Sequence, residues 1–282
     1  MTAMTETQVR RRLADVLQLG RERLYFERDR SGPGAKFRQE LDRGQRERGI
    51  PDPFAVHDSY VAMVMEMNRH GDWFWLSLLG QLADVEYLAI REMTHWMNGV
   101  NDLWQSGYFD WQAGLARQAL DEGKHAKVFL DVLVEKGLVH DDRGIYAEEY
   151  LDWTQRTPML WAINGKLLKL RHVHPAGRAA NQYFGERAFL GPLLAMGCVA
   201  DQRVAESFLS QLDEECFHVN LGSFALDQIA TTPEAQAAVV WEMKNTEKYG
   251  DELFAPMMRH AIECEEHFAA LEKAGKLPGP VR

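Results

Sequence analysis

Apolar residues recur along most of this chain every three or four positions, the spacing that an amphipathic α-helix requires. Alternating runs of β-branched residues are missing, and Pro and Gly cluster between the long periodic segments. The pattern predicts long helices over about 5–29, 77–106, 109–137, 175–199, 201–230 and 233–274, with shorter helical pieces near 146–155 and 158–172. The sequence therefore predicts an all-α protein.

The connections between the four central helices suggest how these helices pack. A short link joins each of two helix pairs, 77–106 with 109–137 and 175–199 with 201–230, and a much longer connection over 138–174 separates the pairs. This connection plan is typical of a ferritin-like four-helix bundle. We expect a single all-α domain with an N-terminal helical extension over 1–76, the bundle over 77–230, and a C-terminal helix and tail over 231–282.

The second helix of each predicted pair carries the motif E-x-x-H. Glu122 and His125 form one copy, and Glu215 and His218 form the other. Residues three positions apart leave the same face of an α-helix, and in both helices that face also carries apolar residues. Both motifs are therefore predicted to point into the core, where an unpaired carboxylate is strongly disfavoured.

Each motif has a glutamate at a matched interval on the preceding helix. The interval from Glu92 to Glu122 equals the interval from Glu186 to Glu215 to within a single position. In an antiparallel pair with a short link, such an interval places both glutamates at the same height. A di-iron carboxylate site in a bundle core is built from one glutamate on each of two helices and Glu-x-x-His on the other two. We therefore predict six metal ligands: Glu92, Glu122, His125, Glu186, Glu215 and His218.

Charge and donor chemistry support a pair of metal ions at these residues. Four carboxylates carry −4, two ferrous ions carry +4, and neutral histidines add nothing, so the buried cluster would be neutral. Oxygen and imidazole ligands suit iron or manganese better than metals that prefer thiolates. Asp121 and Glu214 each precede a ligand glutamate, and each could accept the free ring N–H of the histidine on the opposing helix.

Three positions near the predicted ligands allow more than one interpretation. Glu86 is an alternative to Glu92, but the repeated interval favours Glu92, so Glu86 is expected at the surface or lining a cavity. His95 follows Glu92 in a further E-x-x-H, and we expect a core histidine or a partner of the ligands rather than a seventh ligand. Gly222 lies about one turn past His218, where a small residue leaves room for O₂ or substrate or allows close helix packing.

Composition limits the classes of function. The chain has 282 residues, is 46% hydrophobic and carries a net charge of −10, so it can bury a large core and is unsuited to non-specific nucleic-acid binding. The N-terminus lacks the apolar core of a signal peptide, and no run of about 18 apolar residues is present. We therefore expect a cytoplasmic protein that binds neither membranes nor nucleic acid. The three cysteines form no C-x-x-C pair and suggest neither a disulfide framework nor a zinc site.

The motifs also resemble a known family. The segments DEGKH (121–125) and EECFHVNLG (214–222) are similar to those of the ferritin-like di-iron carboxylate oxygenases, nearest to the catalytic subunit of the phenylacetyl-CoA epoxidase type. The resemblance covers about residues 80–230 and implies iron at the six residues above. That family often has aspartate where Glu186 stands, which would leave ligation intact. The di-iron N-oxygenases are less similar, because they have a histidine where this chain has Gln211.

The function expected from the sequence is that of an O₂-activating non-heme di-iron oxidoreductase, most simply a monooxygenase. Its cofactor would be two iron ions, its co-substrate O₂, and its substrate a small organic molecule such as an acyl thioester or an aromatic compound. Electrons would come from a separate reductase, and we expect a homo-oligomer. A ferroxidase or other metal-handling protein, or a di-iron enzyme that catalyses desaturation or C–C cleavage, would share the same ligands.

Overall fold

A computed structural model describes residues 4–24, 31–99, 109–139, 158–170 and 174–276 of the chain. All regular secondary structure in these ranges is helical, which confirms the predicted all-α class. In chain order the elements are α1 (Glu6–Glu22), α2 (Pro33–Glu47), α3 (Asp58–Met67), α4 (Asp72–Gly99), α5 (Phe109–Glu135), α6 (Pro158–Leu170), α7 (Pro175–Ala180), the π-helix π1 (Asn181–Gly185), α8 (Glu186–Met196), α9 (Gln202–Leu209), α10 (Leu212–Ile229), α11 (Pro233–Thr246), the π-helix π2 (Gly250–Phe254) and α12 (Ala255–Lys273). Within the described ranges, none of these helices is both long enough and apolar enough to cross a membrane.

Four helical segments form a bundle. α4 packs against α5, and the two run antiparallel, because Lys136 just past the end of α5 donates a hydrogen bond to Asp72 at the start of α4 (3.1 Å). The second half consists of the continuous segment α7–π1–α8 together with α10, and α5 packs on α10 to join the halves. The other helices cover this bundle: α12 lies on α4, α1 on α8, α2 on α10, and α11 on α7.

Three of the predicted helices are interrupted in the structure. The helix predicted over 201–230 is two helices, α9 and α10, which are separated at Ser210 and Gln211. Both of these side chains donate to the Ser207 carbonyl (3.2 and 2.8 Å), so they compete with the backbone for that acceptor. The helices predicted over 175–199 and 233–274 each contain a π-helical segment. The predicted residues 25–29, 100–106 and 146–155 lie outside the described ranges.

Gly222 is the point of closest approach between α10 and π1. A Cβ atom at this position would lie 2.4 Å from the backbone nitrogen of Tyr183 and 2.7 Å from the carbonyl carbon of Gln182. Backbone atoms cannot move aside as a flexible side chain can. The glycine therefore serves close helix packing, and it does not leave open room for O₂ or substrate.

Gly222→Ala is expected to lower the free energy of unfolding by about 1–3 kcal/mol, because the added methyl group forces α10 away from π1. Urea denaturation measures the change. Gly165→Ala in α6 is the matched control, since Gly165 is exposed and its added Cβ would have no described heavy atom within 4 Å beyond its chain neighbours and the backbone of its own helix. That control should raise the free energy of unfolding by about 0.5–1 kcal/mol, the usual gain for alanine over glycine in a helix. Equal effects of the two substitutions would contradict the packing argument.

Candidate metal centre

Six metal-ligating side chains converge in the middle of the bundle. They form two groups, and within each group the ligand atoms lie within 4.8 Å of one another. The first group is Glu86, Glu122, His125 and Glu215, and the second is Glu122, Glu186 and His218. Because Glu122 belongs to both groups, the two candidate positions for a metal ion are adjacent. The structure thus brings together five of the six predicted ligands and adds Glu86.

The two E-x-x-H motifs face each other across the α5–α10 contact. Nδ1 of His125 lies 3.2 Å from Oε2 of Glu122 and 3.1 Å from Oε1 of Glu215. Nδ1 of His218 lies 3.6 Å from Oε1 of Glu122 and 3.7 Å from Oε2 of Glu215. Each of these two glutamates therefore presents one oxygen to each imidazole. Because each carboxylate lies close to both histidines, each could contact two metal ions at once.

The histidine nitrogens that face the cluster lack hydrogen-bond partners. Nδ1 of His125 and Nδ1 of His218 are both buried, and neither makes a hydrogen bond within the described part of the chain. Buried polar atoms in folded proteins are nearly always bonded, so two unbonded nitrogens aimed at the same carboxylates need an explanation. A metal ion supplies it, because a neutral imidazole nitrogen is a common metal ligand. The residues therefore fit a metal ion.

Burial and mutual repulsion perturb the ionisation of these groups. Burial, followed by the nearby charge of Glu122, raises the pKa of Glu186 to about 8 and raises the pKa of Glu86 well above its usual value. Burial alone would lower the pKa of His125, but its contacts with Glu122 and Glu215 outweigh it and raise that pKa to about 12. Burial thus opposes the ionisation of Glu86 and Glu186 unless a cation accompanies them.

A carboxylate stands behind each histidine, on the side away from the cluster. Oε2 of Glu214 lies 3.2 Å from Nε2 of His125, and Oδ2 of Asp121 lies 3.8 Å from Nε2 of His218. These are the two acids that the sequence suggested for this role. The hydrogen bond between Glu214 and His125 favours the tautomer with the proton on Nε2, which leaves Nδ1 free to bind a metal. Asp121 is too far from His218 for a hydrogen bond, and Nε2 of His218 has no partner among the described residues.

Lys124 links these two acids and was not singled out from the sequence. Its Nζ donates to Oδ1 of Asp121 (2.6 Å) and to Oε1 of Glu214 (3.0 Å), while half of its side chain stays exposed. The pKa of Asp121 is lowered, because His218 and Lys124 outweigh the opposing effect of burial. The only sequence signal for Lys124 was its place three residues after Asp121, on the same helix face.

Gln118 is a second residue that sequence reasoning missed. Its Nε2 donates to Oε1 of Glu122 (3.0 Å) and to Oε1 of Glu186 (2.9 Å), so one amide group holds two of the clustered carboxylates. Gln118 is fully buried on α5 and lies four residues before Glu122. That spacing puts both side chains on one face of the helix and could have indicated the contact.

The glutamate that α4 contributes to the cluster is Glu86, which corrects the predicted choice of Glu92. Glu86 lies as far before the end of α4 as Glu122 lies after the start of α5, so the two are level in the antiparallel pair. Glu92 is six residues nearer the link, which is about 9 Å along the axis and about 120° around it. The equal-interval argument failed because the two halves are not matched: Glu122 follows Glu86 by 36 positions, whereas Glu215 follows Glu186 by 29.

Glu92 and His95 take other places on α4. Glu92 is fully buried and accepts a hydrogen bond from Nε of Arg91 (3.3 Å). Burial lowers the pKa of Arg178, and the charge of Glu92 partly opposes that effect. His95 is exposed, so it is neither a core residue nor a partner of the clustered ligands. The predicted roles of both residues are therefore corrected.

A cavity of about 80 Å³ adjoins the cluster between α4, α6 and the π1–α8 segment. Its walls include four carboxylates of the cluster but neither histidine, and they are otherwise largely apolar, with polar groups at Lys166, Asn181 and Tyr249. The apolar lining comprises Val85, Ala89, Met93, Ile163, Leu167, Phe189 and Leu193. Since a water molecule needs about 10–15 Å³ of such space, the cavity can accept a small molecule beside the carboxylates.

Comparison of the sequence with family models and with curated proteins, and of the structure with solved structures, found no match. The fold and the site by themselves define an all-helical protein whose bundle buries a carboxylate–histidine cluster that could hold a metal ion.

Proposed function

We propose that this protein is an O₂-activating non-heme di-iron oxidoreductase that acts as a monooxygenase on a small organic substrate. The observation that carries the proposal is the pair of ligand groups with Glu122 in common, in which Glu122 and Glu215 each face both histidines. A set of four carboxylates and two histidines on four bundle helices is the donor set of di-iron and di-manganese carboxylate proteins.

The charge of the cluster favours two divalent ions over one. Glu86, Glu122, Glu186 and Glu215 carry −4 when ionised, which two divalent cations neutralise and one does not. Glu86 and His125 would serve one ion, Glu186 and His218 the other, and the two remaining glutamates both. The burial of the cluster makes this balance important, because uncompensated charge is costly away from water.

The donor atoms favour iron or manganese. Carboxylate oxygens and imidazole nitrogens suit these metals, whereas thiolates would indicate zinc or an iron–sulfur centre. Cys216 is next to Glu215 in sequence, but its thiol points toward the carbonyl of Gly20 (3.6 Å) on α1. It therefore does not belong to the donor set.

When bound, two ferrous ions would donate electrons to O₂, and O₂ would be the oxidant for an unactivated C–H or C=C bond. The protein's own residues position the metal ligands and bind the substrate. Gln118 orients Glu122 and Glu186, while Glu214 holds the imidazole of His125 in one tautomer. The apolar cavity wall excludes water and receives an apolar substrate beside the carboxylates. A monooxygenase cycle consumes two external electrons, so we also propose a separate reductase as partner.

Metal analysis tests the proposal directly. After anaerobic loading with ferrous iron and removal of the excess, we expect about two irons per chain, one for each ligand group. The loaded protein should then consume O₂ with a chemical reductant and oxidise a small apolar test substrate. Fewer than one iron per chain would contradict the di-iron centre. Iron that continues to accumulate beyond two per chain during O₂ exposure would favour a ferroxidase instead.

A further inference from the structure

A chain of buried hydrogen bonds connects Trp111 to the metal-ligand cluster. Nε1 of Trp111 donates to Oε1 of Gln182 (2.6 Å), and Nε2 of Gln182 donates to Oε1 of Gln118 (2.6 Å). Nε2 of Gln118 then donates to Glu122 (3.0 Å) and to Glu186 (2.9 Å). Trp111, Gln182 and Gln118 are each at most 1% exposed, so water does not compete for these bonds.

The indole of Trp111 fixes the donor-to-acceptor direction of these hydrogen bonds. An indole N–H can only donate, so Gln182 must turn its amide oxygen toward Trp111 and its NH₂ group toward Gln118. Gln118 must then accept with its oxygen, which turns its own NH₂ group toward the two carboxylates. Were Gln118 reversed, its oxygen would face the carboxylate oxygens of Glu122 and Glu186, and its NH₂ group would face the NH₂ group of Gln182. The polarity that suits the cluster is therefore set by Trp111 at the far end.

Gln182, the middle residue of the hydrogen-bonded chain, lies in a closely packed helical segment. Gln182 belongs to π1, and the backbone of π1 lies directly against Gly222 of α10. The chain thus runs from α5 through π1 and back to α5, and it ends on one ligand from α5 and one from α8. A π-helical turn often marks a functional position in a helix, and here it places the Gln182 amide between Trp111 and Gln118.

We propose that Trp111 is a positioning residue for the metal centre, which acts through Gln182 and Gln118 to hold Glu122 and Glu186 as ligands. This inference rests on the proposed function in so far as the cluster binds metal. It requires neither iron in particular nor O₂ chemistry, because the orientation of the carboxylates matters for any divalent ion.

Trp96 offers a matched control for a substitution at Trp111. Both side chains are at most 1% exposed, but Nε1 of Trp96 is buried with no hydrogen-bond partner among the described residues. Trp111→Phe and Trp96→Phe therefore remove the same atoms and leave similar cavities, and only the first removes a hydrogen bond of the chain. Differences between the two variants report on the hydrogen-bonded chain rather than on packing.

Titration of the metal-free protein with Co²⁺, followed by the visible absorption of the bound ion, tests the proposal. Wild type and Trp96→Phe should bind with equal affinity and the same spectrum, whereas Trp111→Phe should bind at least about tenfold more weakly and with a changed spectrum. Gln118→Met should lose at least as much affinity. The double variant Trp111→Phe/Gln118→Met should resemble Gln118→Met alone, because residues that act through one chain are not additive.

The outcomes separate this inference from the proposed function. Equal Co²⁺ affinity and spectra for Trp111→Phe and Trp96→Phe would overturn the positioning role, and so would additive losses in the double variant. Co²⁺ binding that depends on Trp111, together with no O₂ consumption by the iron-loaded wild type, would leave the positioning role intact and contradict the proposed oxygenase. A wild-type protein that binds no Co²⁺ and no Fe²⁺ would overturn both.

Discussion

Replacing Glu86 with glutamine is expected to reduce the metal content of the loaded protein from about two ions per chain to about one. The amide keeps the size of the side chain but removes a charge, so the first ligand group keeps only His125, Glu122 and Glu215. Three carboxylates then face two divalent ions and leave an uncompensated buried charge, which is strongly unfavourable. Metal analysis after anaerobic ferrous loading measures the loss.

Glu92→Gln is the control for this experiment. Glu92 is on the same helix and is more deeply buried than Glu86, at 0% against 8% exposed, so its loss tests for a general effect of removing a buried carboxylate. Because Glu92 lies outside both ligand groups, Glu92→Gln should keep about two ions per chain even where it lowers thermal stability. The reverse result, with loss of metal in Glu92→Gln and retention in Glu86→Gln, would show that α4 presents a different face to the cluster.

Arg38→Met is expected to lower the free energy of unfolding by about 3–5 kcal/mol, because it leaves buried carboxylates without their cation. Arg38 on α2 is 1% exposed and donates to Asp227 (2.7 and 3.3 Å) and to Asp42 (3.3 Å). Asp42 also accepts from the hydroxyl of Tyr183 (2.9 Å) and from Arg187 (3.1 Å). The network thus ties α2 to α10, π1 and α8, on the side of the bundle that carries Glu186.

Arg43→Met on the same helix is the control, because it removes an exposed ion pair instead of a buried one. Arg43 lies 4.0 Å from Glu47, and both side chains are more than half exposed, at 63% and 70%. This substitution should change the free energy of unfolding by less than about 1 kcal/mol. Urea denaturation of the two variants compares them under identical conditions. If Arg38→Met were no more destabilising than Arg43→Met, the buried network would contribute nothing to stability.

Sequence alone sufficed for those parts of the site that depend on spacing within one helix. Glu122 with His125, and Glu215 with His218, had to share a face because three residues make nearly one turn. The acids Asp121 and Glu214 followed from the same geometry, one position earlier. These inferences needed no knowledge of how the helices are connected.

Predictions that needed the relative position of two helices were less accurate. The choice between Glu86 and Glu92 depended on the relative height of α4 and α5, which the periodicity of each helix does not determine. Both glutamates stand among apolar residues at helical spacing, so burial could not separate them. The contact of Gln118 with Glu186, and that of Lys124 with Glu214, likewise depend on the relative height of two helices, which only the packed structure fixes.

The position of the cavity means that the cluster has two unlike sides. Four carboxylates border the cavity, whereas the histidines are backed by Asp121, Glu214 and the half-exposed Lys124 on the other side. Apolar wall residues such as Ala89 and Ile163 are on the first side only. The wall can thus change in size or shape by mutation without altering the partners of the histidines. In the proposed oxygenase, substrate preference could therefore diverge while the ligand set stays constant.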